Sequence, residues 1–236
     1  MKPYYGYLFF NVLGLIAAFG LSRFLRFKIY ENLSAVDKVR IMMGLVLGVI
    51  LGAKIPVLLS YGLSLEYLWT GKSLYGGVLG AYAGVNIIKN IYKIPGNYGD
   101  RYVIPLCVAV GIGDIGCLVN GCCGGLPTEQ VWHIRNAAGI FVHPTQIYTS
   151  LFHLLSAAGF YVLYRKGWFY QLHFIIYLLT YSAFRFFIEF IRCEPRVWDG
   201  LTVYQWMALC CIPYFIGVIL RRWKAGIGRG VSEVGA

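Results

Sequence analysis

Apolar residues run along this chain in long, nearly unbroken blocks separated by short polar connections. Seven blocks cover roughly residues 4–22, 41–60, 74–92, 102–119, 146–164, 168–191 and 203–220, each close to the ~20 residues with which a helix crosses a bilayer. A helix on the surface of a globular protein is apolar along one stripe, whereas these blocks are apolar all round. The pattern predicts an all-α polytopic membrane protein with about seven transmembrane helices, built as one integral membrane domain over residues 1–236. No internal repeat is evident, and the connections are too short to hold a soluble domain.

Composition agrees: 58% of residues are hydrophobic, 13% are charged and the mean hydropathy is +0.64, far from the average of soluble domains. The formal charge of +11 does not imply a nucleic-acid partner, because the basic residues flank the apolar blocks instead of forming one patch. Arg23, Arg26, Lys28, Lys38, Arg40, Lys89, Lys93, Arg101, Arg165, Lys166, Arg221, Arg222, Lys224 and Arg229 fall on one set of connections. Lys2, Lys72, Arg135, Arg192 and Arg196 fall on the other. The positive-inside rule then puts the N-terminus outside and the C-terminus in the cytoplasm, consistent with an odd number of spans. Tyr4, Tyr5, Trp69, Trp132, Trp168 and Trp198 sit near block ends, where aromatic belts form. The first block lacks a signal-peptide n-region and cleavage site. The seven cysteines contain no CxxC pair, which favours neither a disulfide scaffold nor a zinc ribbon.

Three stretches carry candidate chemistry. Residues 111–128 place six glycines around Asp114, Asn120, Cys117, Cys122 and Cys123. Glycine permits close backbone approach and positive φ, and non-helical backbone at membrane depth requires protein or a water-filled cavity to satisfy it. Close helix packing alone would explain the glycines but not Asp114 or Asn120. Arg185, Glu189 and Arg192 stand at i, i+4 and i+7, on one face of a predicted helix. A guanidinium fork there suits a phosphate headgroup, with Glu189 orienting it; the plain alternative is an internal Arg185–Glu189 lock. At the mouth of the fifth block lies His143-Pro-Thr-Gln-Ile-Tyr148, where Pro144 suits a helix start and Thr145 and Gln146 can satisfy free backbone groups. Tyr5 and Tyr75 stand beside glycines near two block ends, while His153 and His173 read as buried, hydrogen-bonded residues without a chemical role.

Taken together these pieces resemble the prolipoprotein diacylglyceryl transferase family. The matching elements are Tyr4-Tyr5-Gly6, Gly52-Ala53-Lys54, Ser73 through Gly80, Asp100, Gly113 through Thr128, Pro144 through Tyr148, Arg185 through Arg192, and Gln205, in that order along nearly the whole chain. The resemblance implies seven spans in the bacterial cytoplasmic (inner) membrane and transfer of a diacylglyceryl group from phosphatidylglycerol to a lipobox cysteine thiol. The products are a thioether and glycerol phosphate, with no metal or soluble cofactor. It ties Tyr5, Asn120, Gly125, Arg185 and Glu189 to the headgroup pocket or to catalysis. The chain departs from the family signature at Asp114, where the family has arginine, and at Cys117 and Cys122, where it has asparagine and glutamate. Tyr75 replaces a histidine and Leu126 an arginine.

The resulting expectation is a phospholipid-dependent glyceryl transferase with a thiol or lipoprotein acceptor and no nucleic-acid partner. Tyr75, Asp114, His143, Cys117 and Cys122 are its candidate catalytic residues. Tyr5, Asn120, Gly121, Gly125, Gln146, Tyr148, Arg185, Glu189 and Arg192 are its candidate headgroup contacts. The alternatives are a different lipid donor or acceptor, a cysteine nucleophile with a covalent intermediate, a metal-binding or thiol-redox protein using Asp114, the three cysteines, His133 and His143, and a transporter. Adjacent Cys122 and Cys123 fit no standard metal spacing, so the expected site contains no metal.

Overall fold

Each of the seven apolar blocks folds largely as a helix in the computed structural model, which describes residues 3–25 and 33–228, with side chains from Tyr5 onward. Lys2, Arg26, Lys28, Arg229 and the side chain of Tyr4, all used in the sequence argument, lie outside the described residues. The helices are α1 (Pro3–Phe24), α2 (Ala35–Tyr61), the short α3 (Leu65–Trp69), α4 (Leu74–Tyr92), α5 (Asp100–Val119), α6 (Thr145–Lys166), α7 (His173–Ile188) and α8 (Val203–Lys224). A 3-10 turn, Glu189–Ile191, continues α7.

Among the described residues six helices are long and apolar enough to cross a membrane: α1, α2, α5, α6, α7 with its 3-10 turn, and α8. The protein is therefore an all-α polytopic membrane protein. Helix α4 has 19 residues but is diluted by Asn86, Lys89 and Asn90. Helix α2 starts before the apolar block because Ser34 caps it, its hydroxyl accepting the Asp37 amide at 3.0 Å. Helix α7 starts after Trp168 because Phe169 and Gln171 hold φ of 55° and 66°, values a helix cannot contain. Trp69, Trp132, Trp168 and Trp198 are all exposed, as interfacial anchors should be.

The chain divides into two compact units. The first comprises Met1–Phe27, Tyr98–Cys193 and Ile212–Ala236. Here α5 is the central element, contacted by α1, α6 and α7. Ser150 of α6 donates to the Gly111 carbonyl at 2.7 Å, and Gly6 of α1 faces Val119 of α5. Asp100 at the start of α5 accepts the Phe174 amide at 3.0 Å and lies 3.6 Å from His173 Nδ1. His173 also meets the Trp168 carbonyl at 2.7 Å, and His153 is buried 3.4 Å from the Tyr177 hydroxyl. Both histidines are thus the buried, hydrogen-bonded residues expected.

The second unit, Lys28–Asn97 and Glu194–Cys211, is built on α2 against α4. Their backbones meet along Gly44, Gly48 and Gly52 on one side and Gly76, Gly80 and Gly84 on the other. A Cβ at Gly52 would lie 2.7 Å from the Gly80 Cα. Small residues of this kind let helices approach in lipid, where hydrophobic force between them is absent. Lys54 bonds the Gly71 carbonyl at 2.7 Å. Strands β3 (Arg196–Trp198) and β4 (Leu201–Thr202) pair in this unit. Asp199 and Gly200 turn between them with φ of 49° and 70°, as a tight two-residue hairpin requires.

Candidate active site

The site candidates of the first unit gather where α5 ends. Helix α5 closes in a Schellman motif: the Gly121 amide donates to Leu118 O at 3.1 Å and the Cys122 amide to Cys117 O at 3.1 Å. Gly121, at φ 68°, supplies the left-handed residue. The chain then turns left-handed at Cys123 (φ 61°), and at Gly125 two segments distant in sequence clasp it. On one side Gly125 N donates to His143 O at 2.9 Å and His143 N to Leu126 O at 3.0 Å. On the other, Leu126 N donates to Ile191 O at 2.8 Å. Pro127 pairs with Val142 and Gly125 with Arg192. Strands β1 (Ile134–Arg135) and β2 (Phe141–Val142) form the hairpin that returns the chain to α6.

Gly125 is a spatial requirement. A Cβ there would stand 2.9 Å from Thr145 Cγ2 and 3.0 Å from His143 Cβ, and would run into the Ile191 carbonyl. Thr145 and Gln146 do more than start α6. The Thr145 hydroxyl donates to Cys123 O at 2.6 Å and Gln146 Nε2 donates to Cys122 O, so the first turn of α6 holds the glycine-rich loop. Asn136 organises the hairpin tip, its Oδ1 accepting the amides of Ala138 and Ile140 at 3.0 Å each.

Glu189 is fully buried and receives both arginines: Arg185 Nε lies 3.0 Å and Arg192 Nε 3.9 Å from Glu189 Oε2. The expected helical face is corrected in one respect. The α-helix stops at Ile188, and the tighter 3-10 turn brings Arg192 to Glu189 at i,i+3 before the chain becomes extended. Extended backbone at Arg192 is what allows the pairing with Gly125. Asp114, on α5, interacts electrostatically with Arg185 and Arg192. Its Oδ2 and the Nδ1 of His143 are buried, with no hydrogen-bond partner among the described residues.

The remaining candidates divide. Asn120 caps α5, Tyr148 is half-buried on the first turn of α6, and Tyr5 is 61% exposed on α1. The neighbouring contact of Gly6 with Val119 puts Tyr5 at the same end of α5 as the loop. Tyr75 belongs to the second unit, buried at the start of α4, where the Ser73 hydroxyl accepts the Gly76 amide at 3.1 Å. It hydrogen-bonds Cys211 of the same unit. Burial pushes the Cys122 thiol above its ordinary range, so at neutral pH it stays protonated and is a weak nucleophile. The sequence reading missed the long-range duty of Thr145 and Gln146 because a hydroxyl and an amide at a helix start read first as local caps.

The sequence profile of the prolipoprotein diacylglyceryl transferase family matches residues 3–221. A phosphatidylglycerol–prolipoprotein diacylglyceryl transferase 2 of Clostridium perfringens is 34% identical over 145 residues, covering 56% of this chain and 54% of that protein. The corresponding protein of Clostridium tetani is 33% identical over 145 residues, covering 56% of each. That of Geobacter sulfurreducens is 30% identical over 253 residues, covering 94% of this chain and 92% of its own length. The match thus spans little more than half the length of the two clostridial relatives and nearly all of the third. This chain belongs to the prolipoprotein diacylglyceryl transferase family.

Proposed function

We propose that the protein transfers the diacylglyceryl group of a phospholipid, phosphatidylglycerol in the first instance, to the cysteine thiol of a prolipoprotein. The observation that carries this reading is the convergence of Arg185 and Arg192 on buried Glu189, directly against the glycine backbone at Gly125. Two guanidinium groups oriented by one carboxylate bring a planar fork of N–H donors whose geometry suits a phosphate. The missing side chain at Gly125 lets Thr145, His143 and the Ile191 carbonyl close around the loop, which sets Arg192 beside it.

In the proposed reaction the acceptor sulfur attacks the glyceryl carbon that carries the phosphate. A C–S bond forms, the C–O bond breaks, and glycerol phosphate leaves with the charge stabilised by Arg185 and Arg192. The thiol proton passes to a base, for which Asp114 and His143 carry available buried acceptor atoms. Asn120, Gly121, Gln146 and Tyr148 shape the loop around the headgroup, and Tyr5 borders it. Tyr75, Cys117 and Cys122 have no assigned step. The setting is a single integral membrane domain of seven spans in the bacterial inner membrane, N-terminus outside, with the glycine-rich loop on the outer side. No soluble cofactor takes part.

The test is mass spectrometry of a lipobox peptide incubated with the full-length protein and phosphatidylglycerol vesicles. A gain of one diacylglyceryl group is expected, reduced at least about 100-fold by Arg185→Ala, a loss of ~2.7 kcal/mol of transition-state stabilisation. Undiminished transfer by a folded Arg185→Ala protein would overturn the assignment. Transfer from phosphatidylethanolamine but not phosphatidylglycerol would move the donor to another phospholipid class.

A further inference from the structure

We propose that Cys117, Cys122 and Cys123 form a thiolate site for a thiophilic d10 cation of the Zn2+ class. The three sulfur atoms all lie within 4.8 Å of one another, and the Cys122 and Cys123 sulfurs are 3.8 Å apart. Zinc bound tetrahedrally at ~2.3 Å from each sulfur separates its sulfur ligands by about 3.8 Å. One pair already stands at that distance, and the widest needs to close by about 1 Å.

Adjacent cysteines in extended backbone point to opposite sides, which is why the sequence pattern argues against a shared ion. Two local devices remove the objection. In the Schellman motif the side chains three residues before the helix end and two after it come together, and these positions are Cys117 and Cys122. Cys123 then adopts φ 61°, a left-handed conformation that costs a residue with a Cβ on the order of 1–2 kcal/mol. That turn folds the third sulfur back onto the other two. The loop is held in this form by Thr145 and Gln146, which bond the carbonyls of Cys123 and Cys122.

The surroundings suit a cation. Asp114 lies one turn before Cys117 on α5, interacts electrostatically with Cys117 and Cys123, and has a buried carboxylate oxygen with no hydrogen-bond partner among the described residues. Its carboxylate is not one of the clustered ligand atoms, and it serves as an anion beyond the ligands. Cys123 is exposed and the other two are half-buried, so an ion reaches the site without unfolding. His133 and His143 do not belong to this group of ligand atoms. Binding replaces the S–H bonds by sulfur–metal bonds and releases the protons to solvent, without change of oxidation state. Thiolate donors select such an ion over Mg2+ or Ca2+. The site stands independently of the transferase reading.

The full-length protein, purified in detergent, reduced and stripped with a chelator, is titrated with Zn2+ and its metal counted by mass spectrometry. About one ion per chain is expected, with protection of three thiols from alkylation. Cd2+ in place of Zn2+ should give the ultraviolet charge-transfer absorbance of three thiolates. Cys117→Ser, Cys122→Ser and Cys123→Ser should each weaken Zn2+ binding by at least the roughly 10–100-fold that loss of an outer-shell partner costs. Cys210→Ser, an exposed cysteine on α8, should leave it unchanged. Should the serine variants misfold, the Cd2+ absorbance and alkylation pattern of the native protein decide. Substoichiometric Zn2+, alkylation unchanged by Zn2+, equal binding by the triple serine variant, or a disulfide that after reduction takes up no metal would each overturn the site.

Discussion

Replacing Glu189 by Gln removes one charge from the centre of the arginine pair and leaves the shape nearly intact. The Arg185 and Arg192 nitrogens lie 3.0 and 3.9 Å from the same carboxylate oxygen. At an effective dielectric constant of about 20 these separations correspond to Coulomb energies of about 5.5 and 4.3 kcal/mol before desolvation. Desolvation offsets much of that attraction while the pair is whole. Removing one partner from a buried ion pair nevertheless costs ~3–5 kcal/mol, because the remaining charge stays buried without compensation. For a chain of this length that loss lowers the melting temperature by roughly 6–20 °C. Thermal unfolding in detergent, followed by circular dichroism, measures it, and the lipobox-peptide assay is run below the new melting temperature. Transfer should fall at least about 100-fold. A phospholipid anion should restore part of the lost stability, since it supplies the charge the carboxylate provided. A Glu189→Gln protein with unaltered melting temperature and full activity would refute the view that this carboxylate holds both arginines in place.

Gly125→Ala tests the clasp around the loop. Its methyl group would overlap Thr145, His143 and the Ile191 carbonyl, costing ~1–3 kcal/mol as an overpacked contact. A transfer rate at least about tenfold lower is expected, with helix content unchanged by circular dichroism; an unchanged rate would count against close approach at Gly125. Thr145→Val removes the donor to the Cys123 carbonyl and leaves a polar group unsatisfied at a cost of ~1–3 kcal/mol. Faster hydrogen exchange at residues 121–126 should report it, and exchange indistinguishable from the native protein would show that Thr145 does not restrain the loop.

Much of the architecture is legible in the sequence because lipid imposes a strong and simple pattern. Apolar blocks of fixed length locate the helices, and the i,i+4 spacing of Arg185 and Glu189 locates a buried ion pair. The exceptions have local causes. Hydropathy does not see that Ser34 caps α2, or that Phe169 and Gln171 turn left-handed before α7. Periodicity carried Arg192 onto a continuing helix, whereas a 3-10 turn and an extended residue place it. The clustering of three cysteines depends on positive φ at Gly121 and Cys123. The sequence Cys-Leu-Val-Asn-Gly-Cys signals the first through the glycine after a helix end, but nothing in the residue type signals the second. The contacts of Thr145 and Gln146 with the loop span 22 and 24 residues, beyond the reach of any local rule.

The bond from Leu126 N to Ile191 O also sets a timetable for the protein's birth. During synthesis at ~5–20 residues per second, the carbonyl that receives this amide is made on the order of 3–13 s after the amide itself. Until then the glycine-rich loop has its hairpin partner and the first turn of α6, and the segment carrying Arg192 does not yet exist to complete the clasp. A nascent chain halted before residue 191 therefore has its early helices made and the clasp unfinished. The clasp around Gly125 is completed late, when the end of α7 emerges, and under the proposed function headgroup binding begins there.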